Sequence, residues 1–361
     1  MLSKKIGEMI DIYEDMPSGK AKLDFMKQAM KEADKEKDLI GQFFVRSHIM
    51  EESCIHGDCL DMFAVFPELI SLYENNEGEL DEDFAYDMIW NFKWVIQCSA
   101  GFYQIDAATV RKYIEKFKEY LNKYGYSLRT YYYMKIEEEM TTGRRRPDVV
   151  NEYYNEMLKY EHDIMSDCET CELGTFAGIM LMNDNIEGAF KFVEEIKKAN
   201  RSCREQPGGA YLEIADYYFA KKQYEMAASY YELYYKETVK RDFYASGLGS
   251  VIAGVSFVNQ GRALKLFVQQ AADETIYNNP ETLFYHYLGG AYLWKNMMNE
   301  EKETVILEQA KKYPIESKDG ECRLQDLYEY FIKMANEFAK KLDKSNETDC
   351  KIKEVETLTQ L

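Results

Sequence analysis

Apolar residues recur through most of the chain at the spacing that places them on one face of a helix. The stretch from 106 to 124 is a good example, with Val110, Ile114, Phe117 and Leu121 along one face. No stretch shows the alternation of apolar and polar residues that is typical of a strand. The pattern therefore predicts an all-α fold.

At 361 residues, the chain is longer than one compact core usually allows. Residues 1–105 have helical periodicity without clean repeats and are expected to form about five helices, with three clear interruptions. The interruptions lie at residues 17–19, 55–58 and 75–81. Helical repeats are expected in residues 106–341, whereas residues 342–361 lose their apolar face and are expected to form a loose tail.

The second half of the chain contains an internal repeat. The segments N-I-E-G-A-F-K-F-V, Q-Y-E-M-A-A-S-Y-Y and N-Q-G-R-A-L-K-L-F place alanines at positions 189, 227 and 263, in steps of about 38 and 36 residues. In the copy that spans 208–241, Ala215 and Ala227 fall where two helices of a pair would cross, and a larger side chain there would push the helices apart. The unit resembles a tetratricopeptide repeat (TPR). This resemblance implies a right-handed superhelix of antiparallel helix pairs, an α-solenoid.

The middle of the chain also resembles a group of uncharacterised bacterial TPR-like proteins. Five segments carry the resemblance, which spans roughly residues 85 to 300. They are W-N-F-K-W-V-I (90–96), K-Y-G-Y-S-L-R-T (123–130), S-D-C-E-T-C (166–171), C-R-E-Q-P (203–207) and N-Q-G-R-A-L-K-L (259–266). The resemblance implies the solenoid and a cytoplasmic location, and it brings no known activity.

The charge of the chain restricts the partners that it is expected to bind. Acidic residues outnumber basic ones by 64 to 45, for a net charge of −19. Such a field repels phosphate backbones and anionic membranes, so we expect neither nucleic acid nor membrane as a partner, and we favour a basic or amphipathic peptide. The dense basic run, 144–146, is expected to be a solvated loop. The N-terminus lacks the apolar core of a signal peptide, so a cytoplasmic protein with reduced thiols is expected.

Three cysteines are the main candidates for chemistry. Cys168 and Cys171 have the spacing of paired zinc ligands, and Cys203 lies about one repeat later. The first helices of successive repeats start on the same edge of a solenoid, so the three sulfurs are expected to converge. A zinc site would need a fourth ligand, which could be Asp167, His162, Glu205 or water.

Two other interpretations of these cysteines stay open. They could form a redox pair, although such motifs normally occur in a βαβ setting, or they could be small residues packed at a repeat junction, with Asp167 as the helix N-cap. We predict no cofactor, with zinc as the alternative. The segment C-I-H-G-D-C at 54–59 is interpreted as a turn rather than as a second metal site.

Aromatic residues supply the candidates for partner binding. Neighbouring residues on a helix point about 100° apart, so tyrosine runs must turn some rings towards a groove or solvent. We predict four partner-binding residues on this basis, Tyr217, Tyr218, Tyr230 and Tyr235. Upstream, Trp90 and Lys93 share a helix face, so the lysine is expected to stack on the indole, pair with a buried acid or reach solvent.

No common catalytic motif occurs in the sequence: it has no P-loop, nucleophile elbow, H-E-x-x-H or dinucleotide-binding glycine pattern. We therefore predict a non-enzymatic scaffold that binds a protein or peptide partner in the groove of the solenoid. Two alternatives are a peptide-responsive regulatory protein and a metal- or thiol-dependent protein centred on Cys168, Cys171 and Cys203.

Overall fold

The computed structural model describes residues 2–56, 60–198, 203, 205–240, 247–273, 276 and 278–360. In these ranges the chain is mostly helical, with seventeen α-helices and three short β-strands. The helices are α1 (Lys4–Glu14), α2 (Lys20–Glu36), α3 (Leu39–His56), α4 (Leu60–Asn75), α5 (Glu82–Ser99), α6 (Ala107–Tyr124), α7 (Arg129–Thr141), α8 (Pro147–Met157), α9 (Glu169–Met182), α10 (Ile186–Lys198), α11 (Gly208–Ala220), α12 (Tyr224–Lys240), α13 (Leu248–Ser256), α14 (Gln260–Ala272), α15 (Pro280–Asn299), α16 (Leu324–Asn346) and α17 (Cys350–Thr359). The predicted all-α class is confirmed at this level.

The chain divides into two compact units, and neither is continuous in sequence. The first unit comprises Met1–Ala100, Ala108–Glu138 and Glu156–Ser166, and the second comprises Gly101–Ala107, Glu139–Asn155 and Asp167–Leu361. The predicted division near residue 105, between atypical and regular repeats, stays a prediction. Within the first unit α6 packs on α5, where the rings of Phe92 and Phe117 are 5.9 Å apart.

Five helices precede residue 100 in the first unit, as the sequence predicted. The chain leaves helical geometry after α1 and after α4, at two of the three predicted interruptions. The interruption predicted at 55–58 lies partly outside the described residues. In α5, Lys93 is buried with its Nζ 3.5 Å from the centre of the Trp90 ring, and this Nζ donates a hydrogen bond to the carbonyl oxygen of Met165 at 3.0 Å. Stacking on the indole, one of the three predicted roles of this lysine, is therefore observed.

Helices of the second unit pack in consecutive pairs. The pairs are α9 with α10, α11 with α12, and α13 with α14, and α9 also packs on α11 and α13 on α15. The alanines that the repeat pattern placed at crossing points, Ala189, Ala215, Ala227 and Ala263, are all fully buried. Small side chains therefore lie between the paired helices, where the sequence predicted them.

Two parts of the second unit differ from the prediction. A small antiparallel sheet of order β1-β3-β2 follows α15, with strands β1 (Thr304–Ile306), β2 (Ser317–Lys318) and β3 (Glu321–Arg323). The segment from 342, expected to be loose, instead ends α16 and forms α17, with Val355 and Leu358 buried. The Asp343 carboxylate accepts hydrogen bonds from the backbone N–H groups of Lys351 and Ile352, which anchors the start of α17.

The basic run at 144–146 is only partly the solvated loop that was predicted, because Arg146 is exposed but Arg144 and Arg145 are half-buried and all three arginines pair with carboxylates. Arg144 and Arg146 both pair with the buried carboxylate of Glu139, at 3.1 and 2.6 Å. Arg145 makes a two-pronged pair with Glu213, at 2.9 and 2.8 Å. Each arginine of the run thus has an acidic partner, because the loop lies over carboxylates that a sequence pattern does not reveal.

A second carboxyl group lies one turn from Glu213 on α11. The hydroxyl of Tyr231 donates a hydrogen bond to Asp216 at 2.6 Å. Burial and the charge of Glu213 raise the pKa of Asp216, Tyr231 and Arg145 oppose them, and the resulting pKa is about 7. This part of α11 is therefore sensitive to pH.

In the described part of the chain, none of the helices combines the length and the apolarity that a membrane crossing requires.

Candidate functional site

The first two cysteines of the candidate site lie at the start of α9. Cys168 has extended backbone and is the N-cap, because its sulfur accepts a hydrogen bond from the backbone N–H of Cys171 at 3.4 Å. The sequence predicted Asp167 in this capping role, and that prediction was wrong by one residue. Cys168 is exposed and Cys171 is half-buried, so the pair faces solvent on one side.

Cys203 completes a cluster of three thiols. Its Sγ lies 2.9 Å from the Sγ of Cys171, and the three sulfur atoms are all within 4.8 Å of one another. The convergence that the repeat spacing predicted is therefore present in the structure. Within the described ranges, this is the one group of at least three histidine, cysteine or acidic side chains whose ligand atoms converge in this way.

Glu205 adds an acidic group at the edge of the thiol cluster. Its backbone N–H donates a hydrogen bond to the sulfur of Cys203 at 3.4 Å. Its carboxylate oxygen Oε2 lies 3.9 Å from the sulfur of Cys171. Of the residues named as candidates for a fourth ligand, Glu205 therefore reaches the cluster from the same segment as Cys203.

The next turn of α9 explains why the two cysteine segments lie together. A Cβ atom at Gly174 would be 2.1 Å from the side-chain amide of Gln206, so only glycine lets that amide lie against the helix. Gln206 is buried, and its Oε1 accepts a hydrogen bond from the backbone N–H of Ala210 at 3.1 Å. Cys171 and Gly174 are three residues apart and share a face of α9, so this face receives both Cys203 and Gln206.

The sequence analysis did not single out Gln206, which lies in the segment E-Q-P-G-G at 205–209. A glycine one turn after Cys171 was the available signal, because glycine on a helix face often marks a close approach by another segment.

The thiols of the cluster differ in acidity. The hydrogen bond from Cys171 lowers the pKa of Cys203 to about 5, against the opposing effect of burial and with help from the backbone N–H groups of Glu205 and Gln206. The same hydrogen bond raises the pKa of Cys171, and burial raises the pKa of Cys168. These shifts favour the thiolate form at Cys203 and the thiol form at Cys171 and Cys168, a combination suited to metal binding and to thiol chemistry.

The structure brings three of the four predicted partner-binding tyrosines into one group. The rings of Tyr218 and Tyr230 stack with centroids 5.8 Å apart, and Tyr217 meets Tyr218 edge-on at 5.6 Å. Phe190 of α10 stacks on Tyr230 at 6.2 Å. Tyr235 is engaged differently, because its hydroxyl donates to Gln269 and its ring contacts the guanidinium of Arg262.

Exposed apolar residues extend this tyrosine group along α12. Met226 and Leu233 are 44% and 40% exposed, and they stand four residues before and three residues after Tyr230. Residues at these spacings share one face of a helix. We call Tyr217, Tyr218, Met226, Tyr230 and Leu233 the aromatic surface. It is a partly exposed apolar strip on α11 and α12.

The other cysteine segment, 54–59, was predicted to be a turn. Its first three residues end α3, and residues 57–59 lie outside the described residues.

Comparisons with known proteins add no family to this description. No protein-family model matches the chain, and none of the curated proteins shows a significant match to it. The resemblance to TPR proteins therefore stays a prediction from the sequence.

Proposed function

We propose that this protein is a non-enzymatic, TPR-like scaffold of the cytoplasm. Its helix pairs would stack into an α-solenoid, and it would bind a protein or peptide partner. The observation that carries the proposal is the aromatic surface, since half-buried tyrosines and exposed apolar residues share one face there.

Helix packing in the second unit supports the repeat architecture. Consecutive helices pair, and fully buried alanines lie at the predicted crossing positions. Contacts of α9 with α11 and of α13 with α15 also relate the first helices of neighbouring pairs. This is the connectivity expected of stacked repeats, in which each pair contacts its neighbours.

The chemistry of the aromatic surface suits peptide recognition. Tyrosine offers a large apolar area and a polar tip while losing little conformational entropy on binding. Stacking already restrains the rings of Tyr218 and Tyr230, so a partner would not have to order them. The net charge of −19 favours a partner with basic residues, and lysine or arginine side chains also bind well to tyrosine faces. A basic, amphipathic peptide is therefore the preferred partner.

Paired arginines argue against a nucleic acid as the partner. The basic run at 144–146 is the dense cationic segment of the sequence, and its three guanidinium groups pair with Glu139 and Glu213. Releasing them to contact phosphate would leave the buried Glu139 carboxylate without its cationic partners, which is costly.

Selection from a displayed library of random peptides tests the proposal on the full-length chain. We expect the selected peptides to be rich in basic and apolar residues. Tyr218→Ala and Met226→Ser should each weaken their binding by roughly tenfold or more, because truncating a central interface residue costs about 1–2 kcal/mol. Ile306→Ser is the matched control, since Ile306 is also exposed and apolar but lies on β1.

Circular dichroism of each variant would verify that it remains folded. Failure to enrich any peptide would contradict the proposal. Peptides that bind the wild type, Tyr218→Ala and Met226→Ser equally well would contradict the assignment of the aromatic surface.

A further inference from the structure

The distances in the thiol cluster match those of a metal site after small side-chain movements. Zinc–thiolate bonds of about 2.3 Å place the sulfurs of a tetrahedral site about 3.8 Å apart. The three sulfurs of the cluster already lie within 4.8 Å of one another. Cys171 and Cys203, at 2.9 Å, would have to separate by about 1 Å to bind an ion between them.

Backbone hydrogen bonds already orient two of these sulfurs. The N–H of Cys171 donates to the sulfur of Cys168, and the N–H of Glu205 donates to the sulfur of Cys203. Groups that donate to the ligands of a metal hold them in place and tune their affinity. The cluster therefore has both the ligands and the outer contacts of a thiolate site.

We propose that Cys168, Cys171 and Cys203 bind one thiophilic divalent cation, for which Zn²⁺ is the natural candidate. The fourth position is taken by water or by the carboxylate of Glu205. The site is separate from the aromatic surface, so this inference goes beyond the proposed peptide binding.

The exposure of the three cysteines, and the fact that they are three, distinguish a metal site from the two other interpretations. Cysteines that only fill space at a helix junction are usually buried, yet Cys168 is exposed and Cys171 and Cys203 are half-buried. A disulfide would use two of the thiols and leave the third without a role. One cation accounts for the convergence of all three sulfurs.

A bound ion would join two segments that are distant in the sequence. Cys168 and Cys171 belong to the start of α9, whereas Cys203 precedes α11. Because the unfolded chain does not hold these ligands together, ion binding adds to the stability of the folded state. The structural role follows directly: the ion fixes the segment before α11 onto α9.

Titration with Co²⁺, a spectroscopic substitute for Zn²⁺, tests the proposal on the reduced, metal-free, full-length protein. We expect one equivalent to bind, with a thiolate-to-cobalt charge-transfer band that Zn²⁺ then abolishes. Cys168→Ser should lower the affinity roughly 100-fold or more, since even outer contacts of metal sites are worth 10–100-fold. This variant should fold, because Cys168 is exposed.

Two cysteines outside the cluster provide the matched controls. Cys98→Ser, a half-buried position on α5, and Cys54→Ser should bind Co²⁺ as the wild type does. Zn²⁺ should raise the melting temperature of the wild type and of both controls, but not that of Cys168→Ser.

Three results would overturn the proposal. One is the absence of stoichiometric Co²⁺ binding by the reduced protein. Another is Co²⁺ binding that survives Cys168→Ser and is lost in Cys54→Ser. The third is a Cys171–Cys203 disulfide, identified by mass spectrometry, in a protein that binds no Co²⁺ after reduction.

Discussion

Replacing Gly249 with alanine is predicted to disturb the contact between α13 and α15 severely. Gly249 lies on α13 where this helix crosses α15, and a Cβ atom there would be 2.2 Å from the backbone carbonyl oxygen of Tyr285. The approach is reciprocal, because a Cβ atom at Gly289 would be 2.3 Å from the carbonyl oxygen of Gly249. The two helices therefore touch through their backbones.

The cost of Gly249→Ala follows from this contact. Both clashing atoms belong to backbones, so no side chain can rotate away, and α13 and α15 must separate by about 1 Å or more. Overpacking of this kind costs about 1–3 kcal/mol and sometimes more. Alanine recovers up to about 1 kcal/mol through its better helix propensity. Because this clash joins two backbones, we take the upper end of that range, about 3 kcal/mol, and expect a net loss of about 2 kcal/mol in the free energy of unfolding.

Gly261→Ala provides the control on the neighbouring helix α14. A Cβ atom at Gly261 would have the side-chain oxygen of Asn259 as its nearest neighbour, at 3.7 Å, which is an ordinary contact. This variant should be neutral or more stable than the wild type by up to about 1 kcal/mol.

The assay must report on the second unit, because the chain has two compact units that need not unfold together. Hydrogen exchange of the α13 and α15 amides, measured beside urea unfolding, gives this local readout. Gly249→Ala should accelerate exchange in both helices, whereas Gly261→Ala should not. Equal stability of the two variants would refute the backbone contact between α13 and α15.

Two further predictions concern buried charges of the second unit. The folded pKa of Asp216, about 7, is above its ordinary 3.8, so the folded state holds a proton that the unfolded state lacks. The stability of the wild type should therefore fall as pH rises from about 4 to about 7. In urea unfolding, Asp216→Asn should be more stable than the wild type by about 2–4 kcal/mol above pH 7 and should show no gain at pH 4. Lys351→Ala should lower the free energy of unfolding by about 3 kcal/mol or more, because it removes the buried ammonium that contacts Glu281 at 2.9 Å. The exposed Lys353, on the same helix, is the control, and Lys353→Ala should leave thermal unfolding unchanged. If Lys351→Ala and Lys353→Ala changed stability equally, the buried pairing of Lys351 would be contradicted.

The sequence predicted the helices well because their determinants are local. Periodicity of apolar residues located α6 from 107 to 124, one residue from its predicted start. The alanines of one repeat copy, Ala215 and Ala227, predicted where its two helices would meet, and both are fully buried. Both signals depend on residues within one or two helices, so no knowledge of distant contacts was needed.

Features that depend on distant partners were not predictable in this way. Residues 342–361 looked loose because their polar residues interrupt the apolar face, yet Lys351 is buried through its contacts with Glu281 and with Tyr285 of α15. The basic run at 144–146 looked solvated because its acidic partners are identified only by the fold. The strands β1 to β3, of two or three residues each, are too short to show an alternating pattern.

The candidate site was predicted only in part, because sequence spacing identifies some of its residues and not others. The spacing of Cys168 and Cys171, combined with the repeat length, was enough to predict that Cys203 would join them. Gln206 was missed because its place against Gly174 depends on how α9 receives the segment before α11, a three-dimensional relation that has no counterpart in residue spacing.

The geometry of α11 allows the two proposed activities to be separated. The thiol cluster lies before the first residue of this helix, whereas Tyr218 lies near its end, about 15 Å further along at 1.5 Å per residue. An α-helix of this length is stiff, so loss of the ion should loosen the segment before α11 and leave the aromatic surface intact. Cys168→Ser should then retain peptide affinity within about twofold, a factor that corresponds to less than 1 kcal/mol. A folded Cys168→Ser protein that no longer binds peptide would mean that α11 transmits the state of the thiols to the aromatic surface, and the protein would then act as a regulator rather than as a passive scaffold.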